Sequence, residues 1–210
     1  MKDFKKIIIL APHADDGEFG CGATINKLCK EGKEVWYIAF SPCKISIPKE
    51  FPEDILYQEL DNAAAALGID KERIVKFDFD VRHFPAQRQA ILEEMIQLKK
   101  QIQPDLVIMP NSNDIHQDHH TIYEEGLRAF KGCSMLGYEL IWNNLQMVTN
   151  FHVSVSEENV LAKWNAIDAY KSQTFRNYKS LDFARGLAQI RGVQIGVDFA
   201  EAFETIRIIA

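Results

Sequence analysis

Two short segments of this chain concentrate side chains that ligate metals and move protons. The first reads Pro12-His13-Ala14-Asp15-Asp16-Gly17-Glu18. In a tight turn or a first helical turn, His13 and Asp16 (three apart) can converge on one ion while Asp15 points beside it. In an extended stretch, His13 would share a face with Asp15 instead. The second segment reads Asp114-Ile115-His116-Gln117-Asp118-His119-His120 and holds three of the six histidines. His116 and His119 are again three apart and can face one pocket at a helix start. Imidazole and carboxylate suit zinc, and a catalytic zinc keeps three protein ligands and one open position. His13, Asp16 and one histidine of the second segment supply that number. The remaining histidine is then free for acid-base or electrostatic work. Each segment also has a plainer reading: aspartates that cap a helix start in the first, and a polar loop with a cap at Asp118 in the second. Their joint presence, each behind an apolar strand, favours the chemical reading. His83 and His152 are isolated and read as ordinary structural or surface histidines.

The elements that must position these segments alternate between short apolar runs and helical spacing. Residues 6–10, 34–40, 73–77 and 105–109 read as strands, the first and last ending at Ala11-Pro12 and Pro110. Residues 22–30, 53–67, 85–102 and about 119–130 read as helices, with Gly68 as a stop and Pro85 in a first turn. The later third is less regular: strands at 151–155 and 204–209, helices at 157–170 and 181–191. Strand-helix alternation predicts an α/β fold with a mostly parallel sheet covered on both faces. In such sheets ligands gather beyond the carboxyl ends of the strands, where both segments fall.

Composition narrows the classes further. The chain has 210 residues, 47% hydrophobic and 26% charged, which suits one domain over 1–210 with a real core. The formal net charge of -6 argues against a broad grip on nucleic acid or anionic lipid. The apolar run at 7–10 is too short for a signal-peptide core, and no stretch reaches the ~18 apolar residues of a membrane span. Cys21, Cys29, Cys43 and Cys133 form no CxxC pair and read as free thiols of a reducing compartment, so a cytoplasmic protein is expected. Gly17, Gly20 and Gly22 lack GxGxxG spacing, which disfavours a nucleotide-binding oxidoreductase or transferase.

The two segments resemble the paired motifs of the PIG-L/LmbE-like family of zinc-dependent N-acetyl deacetylases. The first family motif, Ala/Pro-His-Pro-Asp-Asp-Glu with a following Gly-Cys-Gly run, stands here as Pro12-His13-Ala14-Asp15-Asp16-Gly17, then Phe19-Gly-Cys-Gly-Ala-Thr-Ile25. The second, Asp-x-His-Pro-Asp-His, stands as Asp114-Ile-His-Gln-Asp-His119. Weaker similarity continues in Tyr138-Glu139, Tyr170-Lys-Ser-Gln173, Arg191-Gly192 and Ala200-Glu-Ala-Phe203, so nearly the whole chain is covered.

The resemblance implies a Rossmann-like three-layer sandwich. It implies that His13, Asp16 and His119 bind Zn2+ or another divalent metal, and that Asp15 is the general base. It further implies that a protonated His116 stabilises an oxyanion and that Asp118 orients or charge-balances His116. The implied substrate is an N-acetylglucosamine-type amino sugar or sugar conjugate. Ala14 and Gln117 replace the usual prolines, Gly17 replaces a glutamate while Glu18 is adjacent, and Leu56 stands where an arginine is common. Arg82 is a candidate compensating substrate contact, and Asp114 a second. The competing readings are a metal-dependent amidase on a non-sugar N-acyl group, the nucleotide-binding enzyme already disfavoured, and a non-catalytic glycan-binding module. Oligomeric state is not legible.

Overall fold

A computed structural model describes Met1 and residues 3–209. Its centre is one seven-stranded sheet. In chain order the strands are β1 (Lys6–His13), β2 (Glu34–Ser41), β3 (Ile74–Lys76), β4 (Leu106–Pro110), β5 (Ser134–Tyr138), β6 (Phe151–Val155) and β7 (Phe199–Arg207). Across the sheet they run β3-β2-β1-β4-β5-β7-β6. The first five are parallel, while β7 pairs antiparallel with both β5 and β6. The expected mostly parallel α/β architecture is therefore observed, with an antiparallel edge.

The residue pattern of β1 decides the layers. Ile7, Ile9 and Ala11 enter one core and Ile8 and Leu10 the other, as the two-residue period of a strand requires. Helices α1 (Asp16–Lys30), α2 (Ile55–Leu67) and α5 (Glu157–Asp168) fill the first core with Leu28, Leu60, Ala63, Val160 and Ile167. Helix α6 (Leu181–Val193) adds Ala188. Helices α3 (Phe84–Ile102) and α4 (Gln117–Ala129) fill the second with Ile91, Met95 and Ile122. Apolar surface is thus removed from water on both faces, the dominant favourable term in folding. Gly68 caps α2 at φ +84°, the left-handed conformation that glycine adopts without a Cβ penalty.

Several expected boundaries move. Helix α1 begins at Asp16 rather than residue 22, so its first turn belongs to the site. The Gly-rich sequence bends instead of ending the helix: Cys21 leaves helical geometry at φ -150°, and the Glu201 carboxylate accepts the Ala23 and Thr24 backbone N–H groups at 3.2 and 2.6 Å. Lys163 balances that buried carboxylate at 2.7 Å. Strand β5 is not marked by residue pattern, because Ser-Met-Leu-Gly-Tyr carries neither a long apolar run nor strict alternation. The last strand is Phe199–Arg207, earlier than the expected 204–209, because Phe199–Phe203 pairs with β6.

Candidate functional site

The strand order reverses at β1, which lies between β2 and β4. A crevice opens at such a point beyond the strand ends. β1 terminates at His13 and the neighbouring β4 at Pro110, so two segments about a hundred residues apart in sequence meet there.

His13 Nδ1, Asp16 Oδ2 and His119 Nε2 form a triangle. His13 Nδ1 is 3.1 Å from Asp16 Oδ2 and 3.1 Å from His119 Nε2, and the remaining edge is 3.2 Å. The other nitrogen of each imidazole meets a carboxylate: His13 Nε2 lies 3.1 Å from Asp118 Oδ2, and His119 Nδ1 lies 2.8 Å from Asp114 Oδ2. A carboxylate on the far nitrogen keeps the proton there and turns the free lone pair inward, as in carboxylate-histidine-metal sites. The donor set fits a divalent cation. Tetrahedral donors at zinc distances of ~2.0–2.1 Å stand about 3.3 Å apart, close to these edges. His13, His116 and His119 also bring ring nitrogens within 4.8 Å of one another. His116, however, uses Nδ1 to accept the Asp118 backbone N–H at 3.2 Å, so the tighter His13-Asp16-His119 set is the better cradle.

Charge follows this geometry. Burial alone would lower the pKa of His119, but Asp16 and Asp114 overcome it and lift the imidazole to about 10. His13 is raised for the same reason, burial being outweighed by Asp16 and Asp118. Asp16 is held well below the carboxylate range, its burial outweighed by the two histidines. Asp15 moves the other way. Burial and the neighbouring Asp16 charge raise it, against Arg176 and His13. A raised carboxylate beside a metal cradle is suited to accepting a proton.

Asp15 occupies the N-cap position of α1 but makes no side-chain cap, which leaves its carboxylate to the pocket. The helix-cap reading of the first segment therefore fails for Asp15. In the second segment the cap of α4 is His116, not Asp118. Two further expectations are refined. The Asp118 side chain makes no hydrogen bond to His116, although its charge still raises that imidazole's pKa: its oxygens take His13 Nε2 and the backbone N–H groups of Arg82 and Phe84, because α4 turns it toward β1 and the start of α3. Asp114 is not a pocket contact, being buried behind His119 and accepting the His116 backbone N–H at 2.9 Å. Without an ion, burial, with the His119 and His13 charges, pushes the His116 pKa down to about 4, away from the protonated form the resemblance implies. With Nδ1 accepting a hydrogen bond, the neutral ring carries its proton on Nε2 and remains a donor.

The cavity, of ≈ 220 Å³, is lined by His13, Asp15, Asp16 and His116 at its reactive end. Arg82 lines it too, and Leu56 is part of the wall. Sequence reasoning missed Trp142, Tyr178 and Arg176. Trp142 and Tyr178 stack at 3.8 Å between ring centroids, and Phe19 meets both edge-on. Trp142 sits in a short 3-10 turn and Arg176 and Tyr178 in irregular chain, and only the neighbouring Gln173 carried a motif signal. His83 and His152 are elsewhere, at the α3 N-cap and beside Gln194.

Behind the first turn, Tyr37 and Tyr170 hydroxyls both donate to the Ala14 carbonyl, at 2.9 and 2.7 Å, and both contact Glu18. Tyr37 also explains Gly17: a Cβ there would fall 2.6 Å from the tyrosine ring and hydroxyl. Among the later sequence similarities, the buried Glu139 pairs with Arg191 and the buried Glu201 holds α1.

Comparison with known proteins gives the family and the fold. The family model described as GlcNAc-PI de-N-acetylase, PIG-L, matches residues 8–130, which span both segments. This chain belongs to the PIG-L family. Among family relatives, it is 28% identical to an uncharacterized deacetylase, YaiS, of Escherichia coli K12 over 176 residues, covering 80% of this chain and 91% of that protein. It is 25% identical over 140 residues to a diacetylchitobiose deacetylase of Thermococcus kodakarensis, covering 64% of this chain and 51% of the relative. The N,N'-diacetylchitobiose deacetylase of Pyrococcus horikoshii shares the fold at a TM-score of 0.80 and 24% identity, over 98% of this chain and 85% of that one. Among the described residues, no helix is long and apolar enough to cross a membrane.

Proposed function

We propose that this PIG-L family member is a divalent-metal hydrolase, with zinc as its metal, that removes the N-acetyl group from an amino-sugar substrate. The observation carrying the proposal is the His13-Asp16-His119 triangle with a carboxylate behind each imidazole and Asp15 beside it. The deacetylase relatives support the N-acetyl assignment, and the chitobiose enzymes among them support a sugar.

His13, Asp16 and His119 would hold the ion, which supplies Lewis acidity toward a carbonyl and acidifies water. Asp15 takes one proton from the attacking water as the new C–O bond forms at the acetyl carbon. His116 Nε2–H donates toward the oxygen on which charge develops, a role typically worth ~3 kcal/mol per donor. Asp15 then returns its proton to the amine nitrogen as the C–N bond breaks, so water and amide become acetic acid and amine, which near neutral pH exchange the remaining proton to give acetate and ammonium. The test is acetate release from N-acetylglucosamine, its glycosides and diacetylchitobiose, before and after chelation and zinc add-back. No release from any of them, with metal bound, would overturn the substrate reading.

A further inference from the structure

Helix α6 carries an apolar seam that faces away from the rest of the chain. Ala184, Ala188 and Gly192, four apart, are its buried residues. The opposite face holds Phe183, Gly186, Ile190 and Val193, spaced three, four and three apart. That is the a/d repeat of a helix that packs lengthwise against another helix. Ile190 and Val193 are 60% and 78% exposed, and Phe183 is half-buried. On the neighbouring α5, Leu161 is also exposed, one turn past the Glu157 that bridges to Arg185 at 2.8 Å. At the other end of its contacts, the Phe183 ring lies 6.3 Å from that of Trp142, so the seam begins beside the cavity wall.

Gly186 points to a close helical neighbour. Glycine inside a helix is destabilising relative to alanine. At Gly17 and Gly192 the chain itself explains it, since a Cβ would fall 2.6 Å from a neighbouring atom. At Gly186 a Cβ would meet nothing within 4 Å, so among the described residues no contact calls for glycine there. The seam fits an inverted copy of itself. With two α6 helices antiparallel and centred on position 188, Gly186 lies opposite the partner's Ile190, and Phe183 opposite the partner's Val193. Each layer then sets a larger side chain against a smaller one, as close packing requires. Charge agrees with the same occupant. Arg185 and Arg191 are already neutralised within the chain by Glu157 and Glu139. Gln189 and Gln194 are neutral, and Asp182 falls opposite the partner's Gln194. Like charges therefore do not meet across the seam, although two molecules of formal net charge -6 repel elsewhere.

We infer that two copies of this chain associate through an antiparallel pairing of their α6 helices along Phe183, Gly186, Ile190 and Val193. The thirteen residues of α6 span about 20 Å, a small contact, so the association belongs in the micromolar range. Sedimentation velocity on the full chain, from low to high micromolar concentration, should show reversible self-association. Ile190→Asp places a charge in the seam and Gly186→Leu blocks the close approach, and each should weaken association roughly tenfold or more. Both positions are open to solvent in the single chain, so folding is expected to survive. Thermal unfolding at low concentration checks this, and Gly186→Leu should unfold no earlier than wild type because leucine is the better helix former. The antiparallel register is read from mixed disulfides. Phe183→Cys protein mixed with Val193→Cys protein should cross-link faster on mild oxidation than either variant alone. Wild-type protein that stays monomeric at the highest concentration would overturn the inference. So would self-association that both substitutions leave unchanged, since another surface would then be pairing, or Val193→Cys protein that links to itself fastest. Association of wild type only with a different protein, with no self-association, would overturn it as well.

Discussion

Asp118 Oδ2 lies 3.1 Å from His13 Nε2 and accepts the Arg82 backbone N–H at 2.6 Å, so one carboxylate supports a metal-facing imidazole and a cavity-lining arginine. It turns the His13 Nδ1 lone pair toward Asp16 and His119. Loss of such a partner typically costs about 10–100-fold in metal affinity. We expect Asp118→Ala to weaken zinc binding by roughly that factor while His13→Ala abolishes it, measured by competition with a chromophoric chelator. Unchanged affinity in Asp118→Ala would remove the carboxylate from this role.

Asp15 stands beside the triangle without belonging to it. Asp15→Asn keeps shape and loses the proton acceptor. We expect full zinc occupancy with acetate release reduced roughly 10²–10⁴-fold, the usual contribution of a general base. Metal analysis beside steady-state kinetics separates the two effects, and near-normal turnover would refute the assignment.

Metal uptake should release protons. Without an ion, Asp16, Asp114 and Asp118 hold His13 and His119 toward their protonated forms, His119 at about 10. A cation binds the neutral imidazoles and must displace those protons, so its affinity rises with pH and falls as the solution is acidified. Calorimetry in buffers of different ionisation enthalpy counts the protons. Zinc affinity that does not change between pH 6 and 8 would contradict this account.

Gly17 is required by Tyr37. The Cβ of Gly17→Ala would lie 2.6 Å from the Tyr37 ring, which is fully buried. Overpacking of this kind costs about 1–3 kcal/mol. It also displaces a hydroxyl that holds the Ala14 carbonyl between His13 and Asp15. Thermal unfolding should show the lower stability, and activity should fall at temperatures where the variant is still folded.

Asp105 ties the start of β1 to β4. Its Oδ2 accepts the Lys6 and Lys5 backbone N–H groups at 2.9 and 2.8 Å, and these bonds, that of Lys6 foremost, hold its pKa below the ordinary value. A carboxylate depressed by folding stabilises fully above its unfolded pKa of ~3.9 and loses that contribution as pH falls through the folded value. Asp105→Asn should therefore be less stable than wild type at pH 6, with the gap closing toward pH 3 in denaturant titrations. A constant gap would mean the charge is not what matters.

Much of this protein was legible in local sequence. The apolar run of β1, the stops at Pro12 and Pro110, and the spacing of His13 with Asp16 are short-range signals, and each falls where the sheet needs it. The resemblance added the family and singled out His119 from its neighbours. Helix α1 was placed too late because glycines at 17, 20 and 22 read as a loop, whereas packing against Tyr37, and at Gly20 against Tyr138, demands them inside a helix.

What tertiary structure decided is which groups face each other. The pairing of Asp118 with His13, rather than with His116 two residues away, depends on β4 lying beside β1 and on α4 turning that carboxylate across the strand ends. Asp114 went behind His119 for the same reason. Arg176, Trp142 and Tyr178 reach the cavity from chain that carries no recognised spacing, so nothing local marked them. Sequence determined the chemical groups and the strands that end beside them, because those follow from residue type and short period. Their protonation and partners were settled only where distant segments pack within hydrogen-bonding distance, since burial and neighbouring charge act through space and not along the chain.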